Sequence, residues 1–144
     1  MQVLVSHLID VPPHIVWADV SRIESHAEWM ADAEGIDVVS TVRRGVGTVL
    51  RVPTRIGPLR TVDWIIVTDW IEGRSIRVVH VGLVSGEGEF RIEPHGDATL
   101  FVWDESLTLP LLFGGCIGEL VARPIIAGIW RGNLRRLAGR FAPG

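Results

Sequence analysis

Apolar and polar positions alternate in short blocks along most of this chain, and each block stops at a turn signal. Between residues 36 and 109 the blocks predict six strands, at 36–44, 47–56, 60–71, 74–82, 87–94 and 98–109. The stops are Arg44-Gly45, Ile56-Gly57-Pro58, Glu72-Gly73, Ser85-Gly86 and His95-Gly96-Asp97. Connections this short pair neighbouring strands antiparallel, as a meander. A further strand, Gln2 to Asp10, comes first, with Val3, Val5, His7 and Ile9 on one face.

The pattern changes period at both ends of this block. Pro12 and Pro13 follow Asp10 and open a short helix over His14 to Val20, because proline is tolerated where the amide would be unpaired anyway. Two overlapping capping-box patterns, Ser21-x-x-Glu24 and Ser25-x-x-Glu28, predict a break and a second short helix ending near Trp29. Gly115 to Phe141 reads as one long helix with Leu120, Ala127, Leu134, Leu137 and Phe141 on its long face. Its first half is apolar nearly all round apart from Glu119 and Arg123, and Pro124 is expected to kink it. The fold class is therefore α+β. A seven-stranded curved antiparallel sheet carries two short helices after its first strand. The long C-terminal helix lies across it and leaves an apolar hollow.

Composition sharpens this picture. A chain of 144 residues is expected to form a single domain, 1–144, with a real core. It is 47% hydrophobic and its mean hydropathy is +0.31, so apolar surface needs a lined cavity, a partner or a membrane contact. The net charge of -3 gives no global attraction to nucleic acid. Every basic side chain is an arginine, which removes amine chemistry, and the absence of tyrosine removes phenolic acids. Cys116 stands alone and reads as a small apolar filler. Nothing at the start resembles a signal peptide, so a cytoplasmic location is expected. The apolar run Leu107 to Gly118 is too short to span a bilayer, so stable membrane insertion is not expected.

The order of elements resembles the START-like helix-grip superfamily, and local residues agree. Val11-Pro12-Pro13-His14-Ile15-Val16-Trp17 resembles the family's start of the first helix, and Trp29 the tryptophan that closes the second. Gly45-Val46-Gly47-Thr48 resembles its Gly-x-Gly-Thr hairpin. Val67-Thr68-Asp69-Trp70 with Arg74-Ser75-Ile76 resembles the hairpin between the fourth and fifth strands. Gly96-Asp97-Ala98-Thr99 before Phe101-x-Trp103-x-Glu105 resembles the last strand. The branch it is most similar to is the polyketide cyclase/dehydrase and lipid-transport (SRPBCC) group. Its relatives bind or transform apolar ligands between sheet and helix, while others in the superfamily bind quinones, sterols or lipids or act as chaperone partners. Fold alone does not choose among these.

Strand alternation assigns the faces. The resemblance to aromatase/cyclase members puts Phe101, Trp103, Glu105 and Leu107 inside, and Phe90 and Ile92 follow on the preceding strand. The same resemblance points Trp64, Ile66 and Thr68 inward. One bulged residue near Gly73 would then bring Ile76, Val78 and His80 to that face. The expected ligand-binding lining is Trp29, Trp64, Ile66, Phe90, Ile92, Phe101 and Trp103, with Thr68, His80 and Glu105 as polar groups. The alternative is that these side chains simply fill the core.

An inward Glu105 among aromatic rings would be desolvated and fitted for general acid or base work, and His80 on the same face could share its proton. It could also merely cap a buried group or orient a ligand hydroxyl. Aromatase/cyclase relatives place an arginine on the fourth strand. Thr68 matches that position here and supplies no fixed charge. His7, His14, His26 and His95 fall in separate elements without metal-ligand spacing, so neither metal nor cofactor is expected. Gly45-Val46-Gly47 reads as a turn and not as a phosphate cradle. Arg43, Arg44, Arg51, Arg55 and Arg60 read as a solvated basic face.

Three functions follow. The first is a carrier of a hydrophobic small molecule, whether aromatic, polyketide-like or lipid. The second is a cofactor-free cyclase or dehydratase with Glu105, aided by His80, as acid/base. The third is a protein-interaction module using the greasy start of the last helix, self-association as a homodimer included.

Overall fold

Alternation along the chain builds one antiparallel sheet of seven strands, ordered β1-β7-β6-β5-β4-β3-β2 in the computed structural model, which describes residues 1–142. The strands are β1 Gln2–Ile9, β2 Asp37–Val38, β3 Val49–Ile56, β4 Leu59–Ile71, β5 Ser75–Val81, β6 Ser85–His95 and β7 Ala98–Thr108. From β3 to β7 each strand pairs with the next, as the short turns require. β1 returns to pair with β7 along its full length, from Gln2 opposite Ser106 to Ile9 opposite Thr99.

Helix α1 spans Pro13–Val20 and begins on a proline, as the sequence predicts. The second short helix is a tight 3-10 helix, Ile23–Glu28. Neither capping box forms there. Ser25 Oγ instead donates back to the carbonyls of Arg22 (2.7 Å) and Asp19 (3.5 Å). Local side-chain bonding of this kind competes with a regular α-helical start. The expected strand at 36–44 shrinks to β2, and beyond it Ser40 Oγ donates to the Val42 carbonyl and accepts from the Val49 amide (2.9 Å) in place of ladder bonds.

A 3-10 turn, Leu111–Phe113, precedes the long helix α2, Gly115–Gly139, which runs on with Pro124 inside it. Its second half buries Ile126, Ala127, Trp130, Leu134 and Leu137 against the sheet. They share one core with Val3, Val5, Phe101 and Trp103. Leu120, expected on this buried face, is exposed instead, and so is Cys116, expected as an apolar filler. Both lie in the first half of α2, which does not reach the sheet. Arg140, just past α2, grips Asp19 of α1 with two bonds of 2.8 and 2.9 Å and ties the two helices together. Among the described residues no helix is long and apolar enough to cross a membrane.

Candidate functional site

The first half of α2 stands off from the concave face of the sheet, and a cavity of about 690 Å³ opens between them. Its inner walls include Met30, Ile65, Val78, Phe90, Trp103 and Trp130. Toward the mouth the lining grows more exposed, with Leu59, Leu83, Ile117, Val121 and Ile125. Trp103 and Trp130 stack with centroids 4.3 Å apart and planes 8° from parallel, which joins β7 to α2 at the cavity's closed end. Asp32 accepts bonds from Trp130 Nε1 (3.3 Å) and Asn133 Nδ2 (2.8 Å), so the loop after the 3-10 helix is held against α2.

One row of charged side chains crosses the inner face. Ile65 pairs with His80, so Asp63, two residues from Ile65, shares that face. His80 Nδ1–H donates to Asp63 Oδ2 at 2.7 Å. On the other side His80 Nε2 lies 2.7 Å from Glu105 Oε2, but out of line for a hydrogen bond, so this contact is mainly one of charge. Glu105 Oε1 accepts from Trp103 Nε1 at 3.0 Å. Burial alone would lower the pKa of His80. The hydrogen bond to Asp63 and the Glu105 carboxylate outweigh that cost and push it up to about 10. The imidazole is therefore a cation at neutral pH.

Glu105 and His80 are on β7 and β5, with β6 between them. The residue of β6 directly opposite Glu105 is Gly88. A Cβ there would run into the Glu105 carboxyl group. The glycine thus opens a channel across β6 through which the carboxylate reaches the imidazolium.

His26 is the other histidine on the wall. Its Nε2–H donates to the Val20 carbonyl at 2.7 Å, and burial lowers its pKa to about 4, so it is neutral. It packs on Trp29 and Phe90 at centroid distances of 5.2 and 5.4 Å. Trp29 lies beneath this layer, 1% exposed, with its indole N–H unpartnered.

The structure divides the expected lining into three groups. Phe90, Trp103, His80 and Glu105 are on the cavity wall. Trp29, Ile92 and Phe101 face the same way but are buried in the core behind it. Trp64, Ile66 and Thr68 are on the opposite, convex face, with Trp64 41% and Ile66 36% exposed. The cause is a bulge at Thr68. Trp70 pairs with Ile76 and Asp69 with Arg77, but Val67 then pairs with Val78, leaving Thr68 without a partner. The expected bulge near Gly73 is thus five residues further back, and Asp63, Ile65 and Val67 take the inward places. Thr68 is no counterpart of an inward arginine, and no arginine lines the cavity.

Sequence reasoning missed Asp63, Gly88, His26 and Trp130. Asp63 lies on the side of β4 that the expected alternation, with Trp64 and Ile66 inward, turns outward, and Gly88 has no signal beyond a glycine inside a strand, which marks a close approach. Among the described residues no cluster of three or more acidic, histidine or cysteine groups has the arrangement to hold a metal ion.

Residues 1–142 match the family model described as polyketide cyclase/dehydrase and lipid transport. No curated protein matches the sequence. Among solved structures, an aromatase/cyclase from Streptomyces sp. R1128 superposes with a TM-score of 0.76 at 13% identity, covering 97% of this chain and 92% of that one. A START superfamily protein from Mycobacterium smegmatis gives 0.67 at 20% identity, with coverages of 96% and 92%. The major latex-like protein 151 of Panax ginseng gives 0.75 at 12%, with coverages of 99% and 98%. At these identities the likeness is one of fold, the helix-grip arrangement of curved sheet and long C-terminal helix.

Proposed function

Because the chain belongs to the polyketide cyclase/dehydrase and lipid transport family, we propose that it takes up and carries a hydrophobic small molecule in the hollow between the sheet and α2. One observation carries this reading: the cavity of about 690 Å³ with mostly apolar walls and few polar groups. Small-molecule sites have this character and fall at roughly 300–1,000 Å³. The exposed apolar side chains at the mouth give such a ligand a path that avoids charged surface. Native mass spectrometry of freshly purified protein tests the reading, with solvent extraction of what is held. A discrete apolar adduct that disappears in Val78→Trp, which fills the hollow, is the expected result. An adduct unaffected by that filling would place binding elsewhere.

The Asp63–His80–Glu105 row favours a second reading, a cyclase or dehydratase that uses Glu105 and His80 as acid/base. Pocket carboxylates coupled to histidine are a frequent basis for proton transfer. Glu105→Gln separates the readings. It preserves carriage under both and abolishes turnover only under the second.

A further inference from the structure

The charge on the cavity wall is one-sided. The chain has fourteen basic side chains, all arginine, and none of them lines the cavity. The ionisable side chains that do are Asp32, Asp63 and Glu105, with His80 and the neutral His26, while Glu89, between inward-facing Gly88 and Phe90, turns its carboxylate to the convex face. Glu89 is already matched by Arg77 and Arg91 at 2.9 and 2.7 Å. Asp32 accepts from two neutral donors, Trp130 and Asn133.

The row Asp63–His80–Glu105 has three groups and one mobile positive charge. Two ionised carboxylates and an imidazolium sum to -1. Moving the proton from His80 to either carboxylate leaves that sum unchanged. A carboxylate entering this hollow would exchange bulk water for a low-dielectric space whose one cation, His80, is already held between Asp63 and Glu105. Such burial is costly unless a partner is present. A donor fares differently. Glu105 Oε2 has no aligned partner, and the Asp63 side chain is 21% exposed. The Phe90, Trp103 and Trp130 rings beside them attract positive charge.

We propose that the polar end of the ligand is a hydrogen-bond donor without negative charge, a hydroxyl or a protonated amine, accepted by the Asp63–Glu105 side of the cavity, and that carboxylate-ended amphiphiles are turned away. This rests on the reading that the cavity carries a hydrophobic guest, and it adds the chemistry of that guest's head.

The test uses the neutral dye Nile red as reporter, displaced near neutral pH and low salt by decan-1-ol, decylamine and decanoate, which share one chain length. The alcohol and the amine are expected to displace the dye at concentrations at least about tenfold below decanoate. The better of the two names the head group. Glu105→Gln removes one negative charge and should narrow the gap by improving decanoate, and Asp63→Asn should do the same should the first variant fail to fold. Decanoate displacing as well as the other two, with the dye bound, overturns this inference and leaves the carrier reading intact. Failure of the dye to enter at all overturns both.

Discussion

Gly88 and Glu105 stand directly opposite each other on β6 and β7, and the missing side chain of the one makes room for the carboxylate of the other. The Glu105–His80 contact therefore depends on a residue with no chemistry of its own. Gly88→Ala should push the carboxylate off β6 and away from His80. The imidazolium would lose one of the two carboxylates that stabilise its charge, so its pKa should drop from about 10 toward the ordinary value. A stability loss of ~1–3 kcal/mol is expected for overpacking at this point. NMR titration of His80 in the variant checks the first effect and urea unfolding the second. An unmoved titration would mean that Asp63 alone holds the charge.

The raised pKa of His80 makes stability depend on pH on the alkaline side. The folded value is about 10 against an ordinary 6.5, so the folded state holds a proton that the unfolded chain releases between those limits. The stabilisation is complete below pH 6.5 and is lost as pH rises through 10. In that window its slope is ~1.4 kcal/mol per pH unit at most. His80→Gln should flatten this limb in denaturant titrations run across the alkaline range.

His26 acts in the opposite sense. Burial holds it neutral with a pKa of about 4, while the unfolded chain protonates near 6.5. Below 6.5 the unfolded state binds the extra proton, so stability falls as the solution is acidified toward pH 4. His26→Gln keeps a side-chain N–H for the Val20 carbonyl and removes the titration. It should show a shallower acid limb than the parent protein, and equal limbs would contradict a neutral buried imidazole.

Most of the fold was legible because it is written in local signals. Gly45, Gly57, Gly73 and Gly96 turn the chain where the sequence predicts, and Pro13 starts α1. Phe90, Trp103 and Glu105 could be placed because β6 and β7 pair without a break from Ser85–Thr108 to His95–Ala98. Trp64, Ile66 and Thr68 could not, because both faces of β4 carry apolar residues and alternation does not show which side a bulge has turned. Asp63 was hidden by the same ambiguity. Trp130 did carry a signal: it lies three residues after Ala127 and four before Leu134, on the face of α2 that the sequence predicts to be buried.

The bulge itself can be tested. Deleting Thr68 would join the two registers of β4 into one regular strand, with Val67 still opposite Val78 and Asp69 opposite Arg77. Asp63 would keep its inward place, so the shortened chain should fold and His80 should still titrate well above 6.5. A His80 pKa at the ordinary value in that variant would show that the extra residue is needed to aim Asp63.

Trp64 and Trp103 offer the sharpest contrast between the two faces. Trp64 is 41% exposed on the convex side, whereas Trp103 is 4% exposed, stacked on Trp130 and bonded to Glu105. Truncating a buried tryptophan costs ~3–5 kcal/mol, through lost burial and the cavity left behind. Exposed substitutions stay within about 0.5 kcal/mol. Trp64→Ser should therefore change urea midpoints little and leave Nile red uptake intact. Trp103→Ala should lower stability by several kcal/mol, strip Glu105 Oε1 of its donor and enlarge the hollow at its closed end. A conservative Trp103→Phe keeps an aromatic face against Trp130 but not the indole N–H. Comparing it with the alanine variant separates packing from the hydrogen bond. Equal losses at positions 64 and 103 would be incompatible with the inward Asp63 on which the charged row depends.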